Sequence, residues 1–307
     1  MFTLYDSKGR IDATRTDTAV TVGVFDGVHR GHQALLRSLG GSGLAPLVVT
    51  LTSHPSFVLG RRSSEYWLDD ETEHIRLLFE GGAQYVAVLP FTREVARLTA
   101  CGMADLLYDT LRMRALLIGY DSRFGSKTDD DFGRLPLLAA ERGFTILHGE
   151  PYTVDGEPIS SSRIRESLAD GNVEETCTLL GRRYSVTGTV LHGRGVGHTL
   201  GFPTANISLA DTRKMLPKEG VYAVRVLADV GTTPTVMAGM ANLGTAPTFS
   251  IDKPVLEVHL LGFDGDLYGQ TVEVQFCHRL RDIVRFGSAE ALQQQLKEDL
   301  EQVRLWT

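Results

Sequence analysis

The sequence predicts two domains of different class. Residues 1–182 read as an α/β domain with a parallel sheet, and residues 183–307 as a small antiparallel β domain that ends in a helix. Three observations predict this. In the first half, short apolar runs alternate with helical patterns, the mark of βαβ units. After Arg183 the pattern becomes strands separated by turn residues. And 307 residues suffice for two separate cores.

The elements follow in order. Residues 20–24 read as a buried strand, and Leu35, Leu36 and Leu39 then line one face of a helix that Gly40-Gly41 stops. Residues 47–51 form the next strand. Asp69-Asp70 can cap a helix carrying Ile75, Leu78 and Phe79, which Gly81-Gly82 ends. A strand at 85–89, a helix at 104–112, a strand at 115–119, a helix at 135–142 and a strand at 144–147 complete the alternation. Near Asp155-Gly156 the rhythm changes. Helices at 161–169 and 173–180 lead to strands at 184–191, 221–228, 236–243, 255–261 and 271–276. That spacing fits a small antiparallel barrel or sandwich. A last helix starts at Ser288, with Leu292, Leu296, Leu300 and Val303 on one side.

Composition excludes several functions. The net charge of −7 argues against a surface that coats nucleic acid or anionic membrane, so neither is expected as a partner. No apolar run nears the ~20 residues of a membrane span. Residues 1–17 lack a basic start followed by an apolar stretch, so no secretory signal is expected. Cys101, Cys177 and Cys277 are far apart and in no CxxC pair, which argues against a disulfide framework and a zinc knuckle. A cytoplasmic location is the expectation.

Chemistry concentrates in two places. In the first, residues 21–32 run from a strand into a helix start, where ligands of open α/β sheets bind and free N–H groups favour phosphate. Gly23, Gly27 and Gly31 let the backbone approach a ligand, and Phe25 and Asp26 stand among them. His29 and His32, three apart, share a face of a first helical turn. Two imidazole donors aimed at one point suit a phosphate gaining charge during transfer. His54, just past the second strand, lines the same crevice or is a plain turn residue. Asp121 and Arg123 lie in a glycine-flanked loop after a strand. Ser160, Ser161 and Ser162 open a helix carrying Arg163 and Arg165, an anion grip or a redundant N-cap. The two arginines point differently, and Arg165 is the one expected to touch phosphate.

In the second place, Gly193, Gly195 and Gly197 precede Gly-Phe-Pro-Thr-Ala-Asn, residues 201–206. This is neither a Walker A loop nor a dinucleotide fingerprint. Thr204 and Asn206 face the same way on extended chain and offer hard oxygen ligands suited to Mg²⁺. In residues 256–260, Glu257 and His259 take the face opposite Leu256, Val258 and Leu260. Glu257 is a candidate base, able to take the proton of an alcohol that attacks a γ-phosphate.

The G-x-F-D-G-x-H-x-G-H run resembles the HxGH signature of nucleotidyltransferases. With residues 119–125, 160–165, 200–206, 220–222, 242–249 and 256–261 in that order, the chain resembles the prokaryotic bifunctional riboflavin kinase/FAD synthetase family over nearly its whole length. The resemblance implies a Rossmann-like adenylyltransferase followed by a kinase barrel. It implies ATP, riboflavin, FMN and FAD as small-molecule partners and Mg²⁺ with the nucleotide. His29 and His32 would steady ATP phosphates, with Ser161, Ser162 and Arg165 assisting and Asp121 near the adenylyl site. Thr204 and Asn206 would hold Mg–nucleotide, Glu257 would be the kinase base, and Asn242, Thr248 and Phe249 would border the flavin. Val24 and Ala246 depart from the family, which often has Asn and Arg there.

Overall fold

The structure, a computed structural model, describes residues 2–51, 66–120, 122, 124–125, 130–192, 201–209, 213–230, 233–245 and 254–307. Contacts divide the chain into two compact units, Met1–Ser161 and Ser162–Thr307.

The first unit is built on a seven-stranded sheet of order β2-β1-β5-β4-β3-β6-β7. The strands are β1 (Thr3–Asp6), β2 (Gly9–Ile11), β3 (Thr18–Gly23), β4 (Ala45–Leu51), β5 (Tyr85–Leu89), β6 (Met113–Ile118) and β7 (Thr145–His148). β3 to β7 pair in parallel, and the β1–β2 hairpin adds antiparallel to β5. Among the described residues, four helices cover the sheet: α1 (Arg30–Gly40), α2 (Glu71–Glu80), α3 (Ala100–Leu111) and α4 (Leu135–Arg142).

Strand alternation sorts the core into two layers. Val20, Leu47, Val49, Ala87 and Leu89 face α3, through Met103, Ala104, Leu107 and Leu111. Their neighbours Ala19, Val48, Val86 and Val88 face Leu36 and Leu39 of α1 and Leu77 and Leu78 of α2. Both faces of the inner strands β4, β5 and β6 are therefore largely buried, and they read as near-continuous apolar runs. From β3 the chain winds outward through β4 to β5, then returns to the other side of β3 for β6 and β7. The order reverses between β3 and β6, and the region beyond their carboxyl ends is where open α/β sheets bind ligands.

The helix α5 (Ser161–Asp170) begins at the division between the units, and α6 (Val173–Leu180) follows it. The second unit is a closed antiparallel barrel of order β10-β11-β14-β13-β12-β15. The two-residue strands β8 (Thr153–Val154) and β9 (Glu157–Pro158) pair with each other in the first unit. The barrel strands are β10 (Ser185–Leu191), β11 (Ala205–Ser208), β12 (Gly220–Val230), β13 (Thr233–Thr245), β14 (Pro254–Leu260) and β15 (Thr271–Arg281). The barrel alternative of the sequence reading is the one adopted, and β11 is an additional strand. Tyr222, Phe276, Leu256 and Val258 are among its fully enclosed side chains.

The final helix, α7 (Ala289–Trp306), is capped by Ser288 Oγ, which accepts from Ala291 N at 3.2 Å. It packs Val303, Leu296 and Leu300 onto Val221, Ala223 and Met240 of the barrel wall. Among these apolar groups sits buried Asp299. Arg281 Nη2 donates to its Oδ2 at 2.7 Å, Arg281 Nε lies 3.0 Å from both carboxylate oxygens, and Gln295 Nε2 donates to Oδ1 at 3.0 Å.

Candidate active sites

In the first unit, β3 runs into a tight turn before α1. Phe25 (φ 53°), Gly27 (φ 81°) and Val28 (φ 35°) all adopt left-handed backbone. A bulky or β-branched residue there is strained by about 1–3 kcal/mol and persists only where its surroundings over-determine it. Here they do. Asp26 Oδ1 accepts from Leu68 N at 2.8 Å, and Asp26 O accepts from Ser161 Oγ at 2.9 Å. Gly27 N donates to Asp69 Oδ2 at 3.1 Å, Gln33 Nε2 donates to Val28 O at 2.9 Å, and Thr50 Oγ1 donates to Val24 O at 3.1 Å.

The turn delivers two histidines, by a route the spacing did not foresee. His29 is the N-cap of α1 and lies outside its first turn; its Nδ1 accepts from His32 N at 3.3 Å. The rings then stack, centroids 3.6 Å apart and planes 17° from parallel. Gly31 makes this arrangement possible, since a Cβ there would stand 3.1 Å from His29 Nδ1. Because Nδ1 of His29 accepts, the neutral ring carries its proton on Nε2 and presents a donor.

His32 has its pKa held well below the ordinary value, first by enclosure of the ring, then by the charges of His29 and His74. Its Nδ1 is buried and has no hydrogen-bond partner among the described residues. His74 shows the opposite behaviour. Burial opposes its charge, but Asp69, by charge and hydrogen bond, and then Asp26 and Glu73 outweigh burial and raise its pKa.

Of the other expected residues, Gly23 closes β3, and a Cβ there would stand 3.0 Å from the Phe25 ring. Ser161 opens α5 and serves as a tie to the turn. Ser162 is exposed and Arg165 half-buried on α5 in the second unit. Arg163 is committed to structure, its Nη2 lying 3.0 Å from Glu175 Oε1. His54, Asp121, Arg123, Gly193, Gly195, Gly197, Ala246, Thr248 and Phe249 lie outside the described residues. The sequence reading missed Thr50, Asp69 and His74, whose meeting with the turn depends on contacts distant in sequence.

In the barrel, register aligns three expected residues in one row. Asn206 of β11 is directly opposite Glu257 of β14, which is directly opposite Asn242 of β13. Directly opposed residues share a sheet face with Cβ atoms about 5 Å apart. Leu256 and Val258 are buried, so the row projects from the outer face. Thr204 immediately precedes β11, and its segment is tied to β14 where His259 Nδ1 lies 2.8 Å from Pro203 O. Among the described residues no three His, Cys, Asp or Glu side chains gather as a metal cage. The donor set is a hydroxyl, amide oxygens and a carboxylate, which fits a hard divalent cation that keeps waters and is shared with a nucleotide. No helix among the described residues is long and apolar enough to cross a membrane.

Comparison with known proteins assigns both halves. The family model for FAD synthetase matches residues 11–163, and that for riboflavin kinase matches residues 180–307. The chain thus joins two ATP-dependent transferases of flavin chemistry. It is 38% identical over 292 residues to the bifunctional riboflavin kinase/FMN adenylyltransferase of Escherichia coli K12, covering 94% of this chain and 92% of that protein. The Haemophilus influenzae and Listeria monocytogenes proteins of the same description are 36% and 33% identical, each covering at least 92% of both chains. A crystal structure described as a macrolide-efflux protein from Streptococcus pneumoniae superimposes with TM-score 0.86, 32% identity and 96% coverage of each chain. The chain belongs to the bifunctional riboflavin kinase/FMN adenylyltransferase family, enzymes of flavin cofactor biosynthesis.

Proposed function

We propose that the two activities divide between the two constellations. Residues 1–182 carry adenylyl transfer to FMN around His29 and His32, and residues 183–307 carry phosphorylation of riboflavin around Glu257. Riboflavin and ATP give FMN and ADP; FMN and ATP then give FAD and pyrophosphate. Cytoplasm is the proposed location.

In the adenylyl site, the Nε2–H of His29 and the ring of His32 meet the phosphates at the crevice beyond β3 and β6. Phe25, Asp26, Gly23 and Gly31 shape the turn that positions them, and Ser161, Ser162, Arg165, His54 and Asp121 complete the nucleotide contacts. Donors fixed before the reaction stabilise the charge that grows on the α-phosphate as pyrophosphate leaves. A single turn at a helix start suits this work, because helix N–H groups add to the same field.

In the kinase site, Glu257 takes the proton of the riboflavin hydroxyl as its oxygen attacks the γ-phosphate. Thr204 and Asn206 would hold the nucleotide's Mg²⁺, and Gly195 and Gly197 would contact the same nucleotide. When bound, the ion neutralises charge on the transferring phosphoryl group. Asn242, Thr248 and Phe249 border the flavin. The observation that supports this reading is the row Asn206–Glu257–Asn242, in which a carboxylate stands between two amides on neighbouring strands.

Chromatography of products from riboflavin, ATP and Mg²⁺ tests the division. The double variant His29→Ala/His32→Ala accumulates FMN without FAD. Glu257→Gln makes no FMN from riboflavin, a loss of about 10²–10⁴ in rate, yet converts supplied FMN to FAD. Chelation by EDTA stops both steps. A folded variant that loses both activities, or neither, contradicts the division.

A further inference from the structure

The strained turn after β3 is held at both ends by one chain of hydrogen bonds. Thr50 Oγ1 donates to Val24 O at 3.1 Å and lies 2.8 Å from His74 Nε2. His74 Nδ1 lies 3.0 Å from Asp69 Oδ2, and the same carboxylate oxygen accepts from Gly27 N at 3.1 Å. The links fit a doubly protonated ring. A hydroxyl has one proton; with that of Thr50 on Val24 O, Oγ1 accepts from Nε2–H, while Nδ1–H faces the Asp69 carboxylate. In that arrangement both ring nitrogens carry hydrogen and every link is made. Thr50 and Asp69 are 1% and 3% exposed, so the chain runs out of solvent.

We propose that His74, as an imidazolium joining Thr50 to Asp69, is a positioning residue for adenylyl transfer: it clamps Val24 and Gly27 and thereby holds His29 and His32 in place. The proposal rests on the assignment of adenylyl transfer to this turn. The groups facing His74 are Asp69 and Glu73 from its own segment, Asp26 from the turn and His32 from α1, with Thr50 from β4. The three carboxylates favour the charged ring, and burial and His32 oppose it. His74's raised pKa sets the sign: the clamp is complete below that value, and as pH rises through it Nε2 or Nδ1 loses its hydrogen and one link opens.

The test uses the full chain, with steady-state conversion of FMN to FAD followed from about pH 6 to about pH 9. His74→Gln, which can hydrogen-bond but carries no charge, lowers kcat/KM for adenylyl transfer about tenfold or more. It loses the alkaline limb of the wild-type profile and leaves riboflavin phosphorylation unchanged. His74→Lys restores most of the rate and moves the limb to higher pH, as a side chain filling space alone would not. Where His74→Gln does not fold, Thr50→Val, which keeps the volume and removes the hydroxyl link, shows the same loss of about tenfold or more. Wild-type kcat/KM and an unmoved alkaline limb in the folded variants overturn the clamp. His29→Ala/His32→Ala separates the two levels of failure. If that variant still makes FAD, the site assignment fails; if it makes none while His74→Gln behaves as wild type, only the clamp fails.

Discussion

His29 caps the helix that carries His32, and the two rings stack at 3.6 Å between centroids. One side chain thus ends the preceding turn, starts the helix and sets the orientation of its partner. Structure and chemistry can be separated here because Asn is also a good N-cap. His29→Ala lowers unfolding free energy by about 1 kcal/mol, whereas His29→Asn keeps it. Both lose FAD formation. Urea midpoints beside product assays check this, and an active His29→Asn would reduce His29 to a cap.

Asn206 belongs to the row that contains Glu257, and Thr204 lies two residues before Asn206. If they hold the ion of the kinase nucleotide, Thr204→Val and Asn206→Ala raise the Mg²⁺ concentration for half-maximal phosphorylation by about tenfold or more. Adenylyl transfer keeps its wild-type Mg²⁺ dependence. Titrating the metal in the two assays side by side distinguishes this from general damage.

His32 and His74 act on stability with opposite signs. The folded pKa of His32 is lowered, by enclosure first and then by His29 and His74. Between that value and about 6.5 the unfolded chain binds a proton that the folded chain does not, so acidification through this window destabilises the fold by up to about 1.4 kcal/mol per pH unit. The folded pKa of His74 is raised, because its neighbouring carboxylates outweigh burial. Its contribution is full below about 6.5 and is lost as pH rises through the raised value. Denaturant midpoints against pH for His32→Asn lose the acid slope; an unchanged slope contradicts the assignment.

Asp299 is 4% exposed and accepts three bonds from Arg281 and one from Gln295. Asp299→Ala leaves the guanidinium without its counter-charge and costs about 3 kcal/mol. Arg281→Met with Asp299→Leu recovers much of that, since a packed apolar pair of similar volume replaces a desolvated ion pair. Denaturation of the three proteins, followed in the second unit, checks both statements.

The sequence was most legible where one local signal sufficed. Expected spans 85–89, 135–142 and 173–180 coincide with Tyr85–Leu89, Leu135–Arg142 and Val173–Leu180, whose apolar runs and glycine stops leave little freedom. The β1–β2 hairpin went unread because its strands are short and carry few buried side chains. β11 went unread because, of its four residues, only Ile207 is fully buried, too few points for a period of two. At the sites, the candidate residues stood out singly and their arrangement did not. His29 and His32 stood out by type and spacing, but the cap role of His29 depends on backbone angles. Thr50, Asp69 and His74 come from three places in the sequence, and no window of the sequence contains their meeting. Asn206, Glu257 and Asn242 were each picked out singly; strand register makes them neighbours.

Closure of the barrel carries a consequence for that last group. In an open sheet a border strand can slide by one position, which would turn Glu257 inward and Leu256 outward. Here β11 is gripped by β10 and β14, and β10 in turn by β15, so a slip anywhere must propagate around the whole ring. The phase of the Asn206–Glu257–Asn242 row is locked by the complete circuit of backbone bonds, and mutations at distant staves should soften the fold long before they misalign Asn206 with Glu257.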